Sequence, residues 1–129
     1  MIISIDFDGT CVTHDFPEMG KDIGAVPVLK RLVDNGHKLL LFTMRSNGDK
    51  FPTVLTEAEQ WFVDNDIELW AVQKNPTQHH WTSSPKAYSH LMIDDAALGI
   101  PLKRDEKLSD RDFVDWGAVE ILLEQKGLI

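Results

Sequence analysis

Two aspartates one residue apart, Asp6-Phe7-Asp8, followed at once by Gly9-Thr10, are the residues of this chain best suited to chemistry. In extended chain Asp6 and Asp8 share a face while Phe7 turns to the other. Gly9 then permits a backbone turn that a side chain would obstruct. One carboxylate can attack phosphorus while the second, two residues on, reaches the leaving oxygen, so a nucleophile and a general acid/base occupy one short segment. Polar residues close other apolar runs in the same way, at Phe42-Thr43-Met44-Arg45, at Gln73-Lys74-Asn75 and at Asp94-Asp95. Brought side by side, these run ends would gather four carboxylates, a hydroxyl and a lysine. Converging carboxylates repel, raise one another's pKa and need a cation to coexist ionised. A hard dication with oxygen ligands, Mg²⁺ before others, meets that need and leaves positions for phosphate oxygens.

The elements that must bring these ends together are readable from periodicity. Ile2 to Phe7 predicts a buried strand ending near Asp6, and Gly9 to Gly24 a turn-rich loop or small hairpin in which Phe16, Pro17 and Met19 form a flap over the site. Val26, Leu29, Leu32 and Val33 recur at helical spacing, with Pro27 in the first turn and Asn35-Gly36 as the stop. Lys38 to Thr43 is nearly all apolar and predicts a strand covered on both faces. A second helix is expected over Thr56 to Asn65 and a third strand over Ile67 to Gln73. Asn75 to Pro85 has no period and reads as a crossing loop. Tyr88 to Ile93 predicts a fourth strand, Ile100 to Leu102 a short fifth, and Asp112 or Asp115 to Lys126 a final helix stopped by Gly127. Strands alternating with helices predict an α/β fold whose parallel sheet carries ligands beyond the carboxyl ends of its strands.

Composition narrows the function classes. At 129 residues the chain predicts one domain, residues 1–129. Lys and Arg number 13 against 21 Asp and Glu, a net charge of −8 with no basic run, which opposes binding to nucleic acid or an anionic membrane surface. No apolar run approaches the roughly 20 residues of a membrane span, and Met1 to Ile5 lacks the basic start of a signal peptide. The single cysteine, Cys11, excludes an intrachain disulfide and fits a reducing compartment, so a soluble cytoplasmic domain is expected. Cys11 has no basic neighbour to activate it and reads as packing. His14, His79 and His80 lack metal-ligand spacing and read as surface residues. Trp61, Trp70 and Trp116 fall in periodic segments and read as core.

These blocks resemble the haloacid dehalogenase (HAD) superfamily of aspartate-nucleophile phosphotransferases. The residues that carry the resemblance are DFDGT at 6–10, the apolar strand ending in Thr43, a lysine, and the apolar strand ending in Asp94-Asp95. More narrowly, the chain is similar to small capless members of bacteria and phages, through FPEMGK at 16–21, FTMR at 42–45, QKN at 73–75, MIDD with ALGIP at 92–101 and DWG at 115–117. The resemblance implies a three-layer α/β/α Rossmann-like fold without a cap domain and a Mg²⁺-dependent phosphatase working through an aspartyl-phosphate. It makes Asp6 the nucleophile and a metal ligand. Asp8 protonates the leaving group, then activates water, and offers its backbone carbonyl to the metal. Thr43 bonds a phosphoryl oxygen, Met44 and Arg45 lie beside the substrate, and Asp94 and Asp95 hold the metal directly or through water. Thr10 is expected to brace the loop. For Arg45 a structural ion pair is the competing reading.

Lys74 and Lys86 both qualify as the lysine that stabilises phosphate charge. Lys86 follows a proline, as that lysine does in the superfamily, but seven residues separate it from Asp94. As a strand these place it roughly 20 Å or more from the carboxyl end, at about 3.3 Å per residue. Lys74 is therefore preferred, and Lys86 recovers if residues 87–93 are not a full strand. A catalytically inactive HAD-like binding protein is the alternative function. A phospho-receiver module fits less well, because it resembles paired acids on the first strand and a lone acceptor Asp on the third. The expected partner is a phosphorylated substrate of unspecified identity, and an uncapped cleft either admits large substrates or is closed by a neighbouring subunit.

Overall fold

The computed structural model describes residues 1–129. Four parallel strands form the main sheet: β1 (Ile2–Ile5), β2 (Lys38–Leu41), β3 (Ala71–Val72) and β4 (Leu91–Ile93), in the order β3-β2-β1-β4. Helix α1 (Ala25–Asp34) joins β1 to β2, α2 (Val54–Asp64) joins β2 to β3, and α3 (Trp116–Gln125) follows a small antiparallel pair, β5 (Leu102–Lys103) and β6 (Phe113–Val114). The molecule is thus an α/β protein compatible with a Rossmann-like fold. No helix is long and apolar enough to cross a membrane.

Alternation along β1 explains how the layers form. Ile3 pairs with Leu39 and Ile5 with Leu41 and Ile93, so these side chains share one face, and all are buried. Against that face pack Val28, Leu29 and Leu32 of α1, Ala58 and Phe62 of α2, and Trp116, Val119 and Leu123 of α3. Each helix contributes positions three or four apart, the stripe that periodicity predicts. All three helices therefore sit on one side of the sheet.

The opposite face carries Ser4 and Leu40, both buried outside that core. Residues 75–90 cross it, from the end of β3 at one edge to β4 at the other. Ser4 Oγ meets Ser89 Oγ at 2.9 Å. The crossing segment contains only a 3₁₀ turn, Gln78–His80, in keeping with the crossing loop expected over Asn75 to Pro85. Gln78 organises it: its amide nitrogen donates to the carbonyls of Ser84 and Lys86, and its amide oxygen accepts from Tyr88 N. Asn75 Nδ2 adds a bond to Tyr88 O at 2.9 Å. With their backbone groups held by side chains, residues 84–88 do not join the ladder, and the expected strand over Tyr88 to Ile93 shortens to Leu91–Ile93.

Two other boundaries shift for local reasons. The third strand, expected over Ile67 to Gln73, shortens to Ala71–Val72, because the end of α2 closes on itself, with Asp66 at φ 57° and Ile67 N bonded to Phe62 O, and Gln73 turns the chain at φ 65°. The expected fifth strand pairs with Phe113–Val114, outside the main sheet. That hairpin is tied to the loop after Asp8 by Val114 N donating to Gly9 O at 3.0 Å.

Candidate functional site

The first strand delivers Asp6 to the carboxyl edge of the sheet, where Asp6 N bonds to Ile93 O of the neighbouring strand. The chain then turns sharply. Thr10, Cys11 and Val12 all direct their amides to Phe7 O, and Gly9 N bonds back to Val12 O. Gly9 adopts φ +84°, and a Cβ there would collide with His14 and Asp95. Phe7 points the other way, fully buried between Trp61 and Phe62. Asp6 and Asp8 are thereby held on one cavity.

That cavity, about 480 Å³, is lined by Asp6, Asp8, Thr43, Asp94 and Asp95, together with His14, Phe16, Met44, Arg45, Ala96 and Arg111. Seven of the eight residues expected at the site therefore meet there: Asp6, Asp8, Thr43, Met44, Arg45, Asp94 and Asp95. Carboxylate oxygens of Asp6, Asp94 and Asp95 lie within 4.8 Å of one another. Thr10, fully buried, bridges two of them. Its hydroxyl donates to Asp6 Oδ2 at 2.8 Å and accepts from Asp95 N at 3.0 Å. Trp116 in turn donates its indole N–H to Thr10 O at 2.7 Å, so the DWG segment supports the acidic loop from below.

Crowding sets the charge state. Burial, reinforced by the neighbouring Asp95 and Asp94 carboxylates and opposed by the Thr10 hydroxyl, pushes the Asp6 pKa up to about 8. Burial also acts to raise Asp95, but hydrogen bonds from His14, Asp6 and Thr10 outweigh it and hold Asp95 below the usual range. Without a cation, then, the site keeps a proton on Asp6 and a charge on Asp95, with His14 Nε2 2.7 Å from Asp95 Oδ2. Asp6 keeps its proton chiefly through burial, with the neighbouring carboxylates adding to the effect, and the three oxygen donors of Asp6, Asp94 and Asp95 are of the type that could hold a hard divalent ion. Cys11, buried beneath the loop, has its thiol raised well above the ordinary value by burial and by Asp6 and Asp8, as a packing residue should.

Asp8 is bound differently. The guanidinium of Arg45 forks onto it, Nε to Oδ2 and one terminal nitrogen to Oδ1, both at 2.8 Å. Two further donors of Arg45 reach Val54 O and Glu18 O, and its side chain is 1% exposed. Expected beside substrate, Arg45 uses four of its five N–H donors on Asp8 and two backbone carbonyls, the structural ion pair of the two readings. Thr43 is steadied by Gln73, whose amide accepts from Thr43 N and donates to the carbonyls of Thr43 and Arg45.

Gln73 also explains where Lys74 goes. With φ at 65° and Lys74 N bonded to Val72 O, the chain makes a γ-turn immediately after β3. Lys74, expected in the acidic cavity, instead lines a separate one with Asn75, Gln78 and His79 on the crossing segment. The premise that set Lys86 aside also fails, since residues 87–90 are not strand, yet Lys86 lines a third cavity beside Trp81, Tyr88 and Met92. Neither lysine lines the acidic cavity.

Three lining residues escape the sequence reading: His14, Ala96 and Arg111. His14 and Arg111 reach the cavity from irregular loops, which have no period to reveal a face. The only available signal is proximity in sequence, five residues after Gly9 for His14 and two before Phe113 for Arg111.

Fold and site together define an α/β protein with an acidic cavity at the carboxyl edge of a parallel sheet. No protein-family model and no curated protein matches the chain. A solved structure, that of a conserved protein coded by a locus from Bacteroides thetaiotaomicron, is similar to it at 34% sequence identity and a TM-score of 0.75, over 98% of this chain and 91% of that one. The chain belongs to one family with that conserved protein.

Proposed function

We propose that the protein is a Mg²⁺-dependent phosphomonoester hydrolase with Asp6 as nucleophile, on a capless HAD-like α/β/α fold in which residues 75–90 stand in for the second helical layer. One observation carries this reading: Asp6, Asp8, Thr43, Asp94 and Asp95, contributed by separate strand ends, line a single cavity. Asp6, Asp94, Asp95 and the Asp8 carbonyl would hold Mg²⁺, which lowers the charge repulsion in the site and polarises the phosphoryl oxygens. Asp6 in its ionised form attacks phosphorus, and the ester P–O bond breaks as Asp8, freed from the fork of Arg45 and protonated from solvent when substrate binds, gives its proton to the leaving oxygen. Asp8, now ionised, takes a proton from water, which attacks the same phosphorus and frees Asp6 and inorganic phosphate. Thr43, fixed by Gln73, donates to a phosphoryl oxygen. Lys74 has no part in this scheme, since it lies outside the cavity.

The test is phosphate release from an aryl phosphate with and without Mg²⁺, for the wild type and for Asp6→Asn. Mg²⁺-dependent release that disappears in Asp6→Asn is the expected result. A second reading, a non-hydrolytic binding protein on the same scaffold, is favoured by the absence of lysine from the cavity and by the fork of Arg45 on Asp8. Without turnover, beryllium fluoride and Mg²⁺ decide between them. A competent Asp6 retains the fluoride, and failure to do so leaves the binding protein.

A further inference from the structure

Arg111 stands apart from the other arginines. Arg31 pairs with Glu120, Arg45 with Asp8, and Arg104 with Asp112, whereas the Arg111 side chain has no carboxylate partner in a chain of net charge −8. It is exposed, yet it lines the acidic cavity. Its position is fixed by the hairpin that carries it. Arg111 N bonds to Ser109 Oγ, Lys21 Nζ holds Leu108 O at 2.9 Å, and Val114 N is tied to Gly9 O. A cation is therefore anchored, through its backbone, at the rim of the site whose floor holds the acids.

Resting on the phosphatase reading, we propose that Arg111 binds a second anionic group, a carboxylate or phosphoryl, on the leaving portion of the substrate. The reacting phosphoryl belongs on the floor beside Asp6, and the exposed guanidinium belongs where the leaving group emerges. A guanidinium presents a planar fork that matches either anion in bidentate fashion. Arg45 cannot take this role, because four of its five donors are already bonded to Asp8, Val54 and Glu18. The exposed Phe16 and Met44, at the same cavity, provide apolar contact for the carbon chain between the two anions. The substrate class that results is a small phosphomonoester bearing a second negative group.

The test compares kcat/KM for glycerol phosphate, phosphoglycerate and glycerol bisphosphate in the wild type, Arg111→Gln and Arg111→Lys. Wild type should prefer a doubly anionic compound over glycerol phosphate by about tenfold or more, the scale of a charge-assisted bond. Which of the two is preferred tells carboxylate from phosphoryl. Arg111→Gln should collapse that ratio, mainly through KM, and Arg111→Lys should recover part of it. An equal fall for all three compounds, or an unchanged ratio, overturns the proposal. Should the wild type hydrolyse none of them, beryllium fluoride retention decides the phosphatase reading, and calorimetric binding with Mg²⁺ present tests Arg111 by itself. There, tighter binding of a doubly anionic compound that Arg111→Gln abolishes supports the assignment, and equal affinities overturn it.

Discussion

Burial and crowded carboxylates raise the pKa of Asp6, and the sign of that shift makes a prediction. Its folded pKa of about 8 lies above that of an unfolded aspartate. The folded state therefore holds the proton more tightly, and the stability this contributes is complete below roughly pH 4 and is lost as pH rises towards the folded value. Metal-free protein should melt at steadily lower temperature between those limits. Asp6→Asn should flatten that dependence, and Mg²⁺ should oppose the loss in the wild type by replacing the proton. A melting temperature independent of pH over this window would remove the buried, crowded Asp6 from the account. Arg45 is the second residue with a large effect. Arg45→Met leaves the Asp8 carboxylate, 15% exposed, without its fork, a change that typically costs about 3 kcal/mol or more. Urea unfolding measures this. Adding Asp8→Asn should recover part of the loss, whereas no recovery would mean that Arg45 acts only through the carbonyls of Glu18 and Val54.

At the scale of elements, what is legible in the sequence follows from what holds each element. Ile3, Ile5, Leu39 and Leu41 form by burial alone, so their apolar runs announce both the strands and the acids that end them. Helices α1 and α3 likewise show their stripes, and Asp115 caps the latter through Ala118 N. The direction of Lys74 depends on one backbone angle, φ 65° at Gln73, that no pattern encodes. The crossing segment is opaque for a related reason. Its order comes from the side chains of Asn75 and Gln78 bonding backbone groups far along the chain, which leaves no periodic trace. An element held by a few polar anchors should open more readily than the sheet beneath it. Hydrogen exchange followed by mass spectrometry should therefore find amides of residues 81–86 exchanging well before those of β1 and β2, and Gln78→Leu should extend the early exchange to residues 87–90. Protection equal to that of β1 would show that the segment belongs to the same cooperative unit.

Across the whole molecule, the helices take one face of the sheet and the polar crossing segment takes the other, while the acids collect at the edge where both layers meet. The family relationship, at 34% identity over nearly the full length of both chains, extends across this arrangement as a unit. The loop that presents Asp6 has supports later in the chain: Asp95 N donates to the Thr10 hydroxyl, Val114 N to Gly9 O, and the Trp116 indole to Thr10 O. During synthesis, the strands β1 and β2 and helix α1 leave the ribosome long before any of these supports exist. Until residues through Trp116 have emerged, the acidic loop has only its local bonds, to Phe7 O, Val12 O and the Asp6 carboxylate, so the order of translation supplies β1, α1 and β2 before the site is complete.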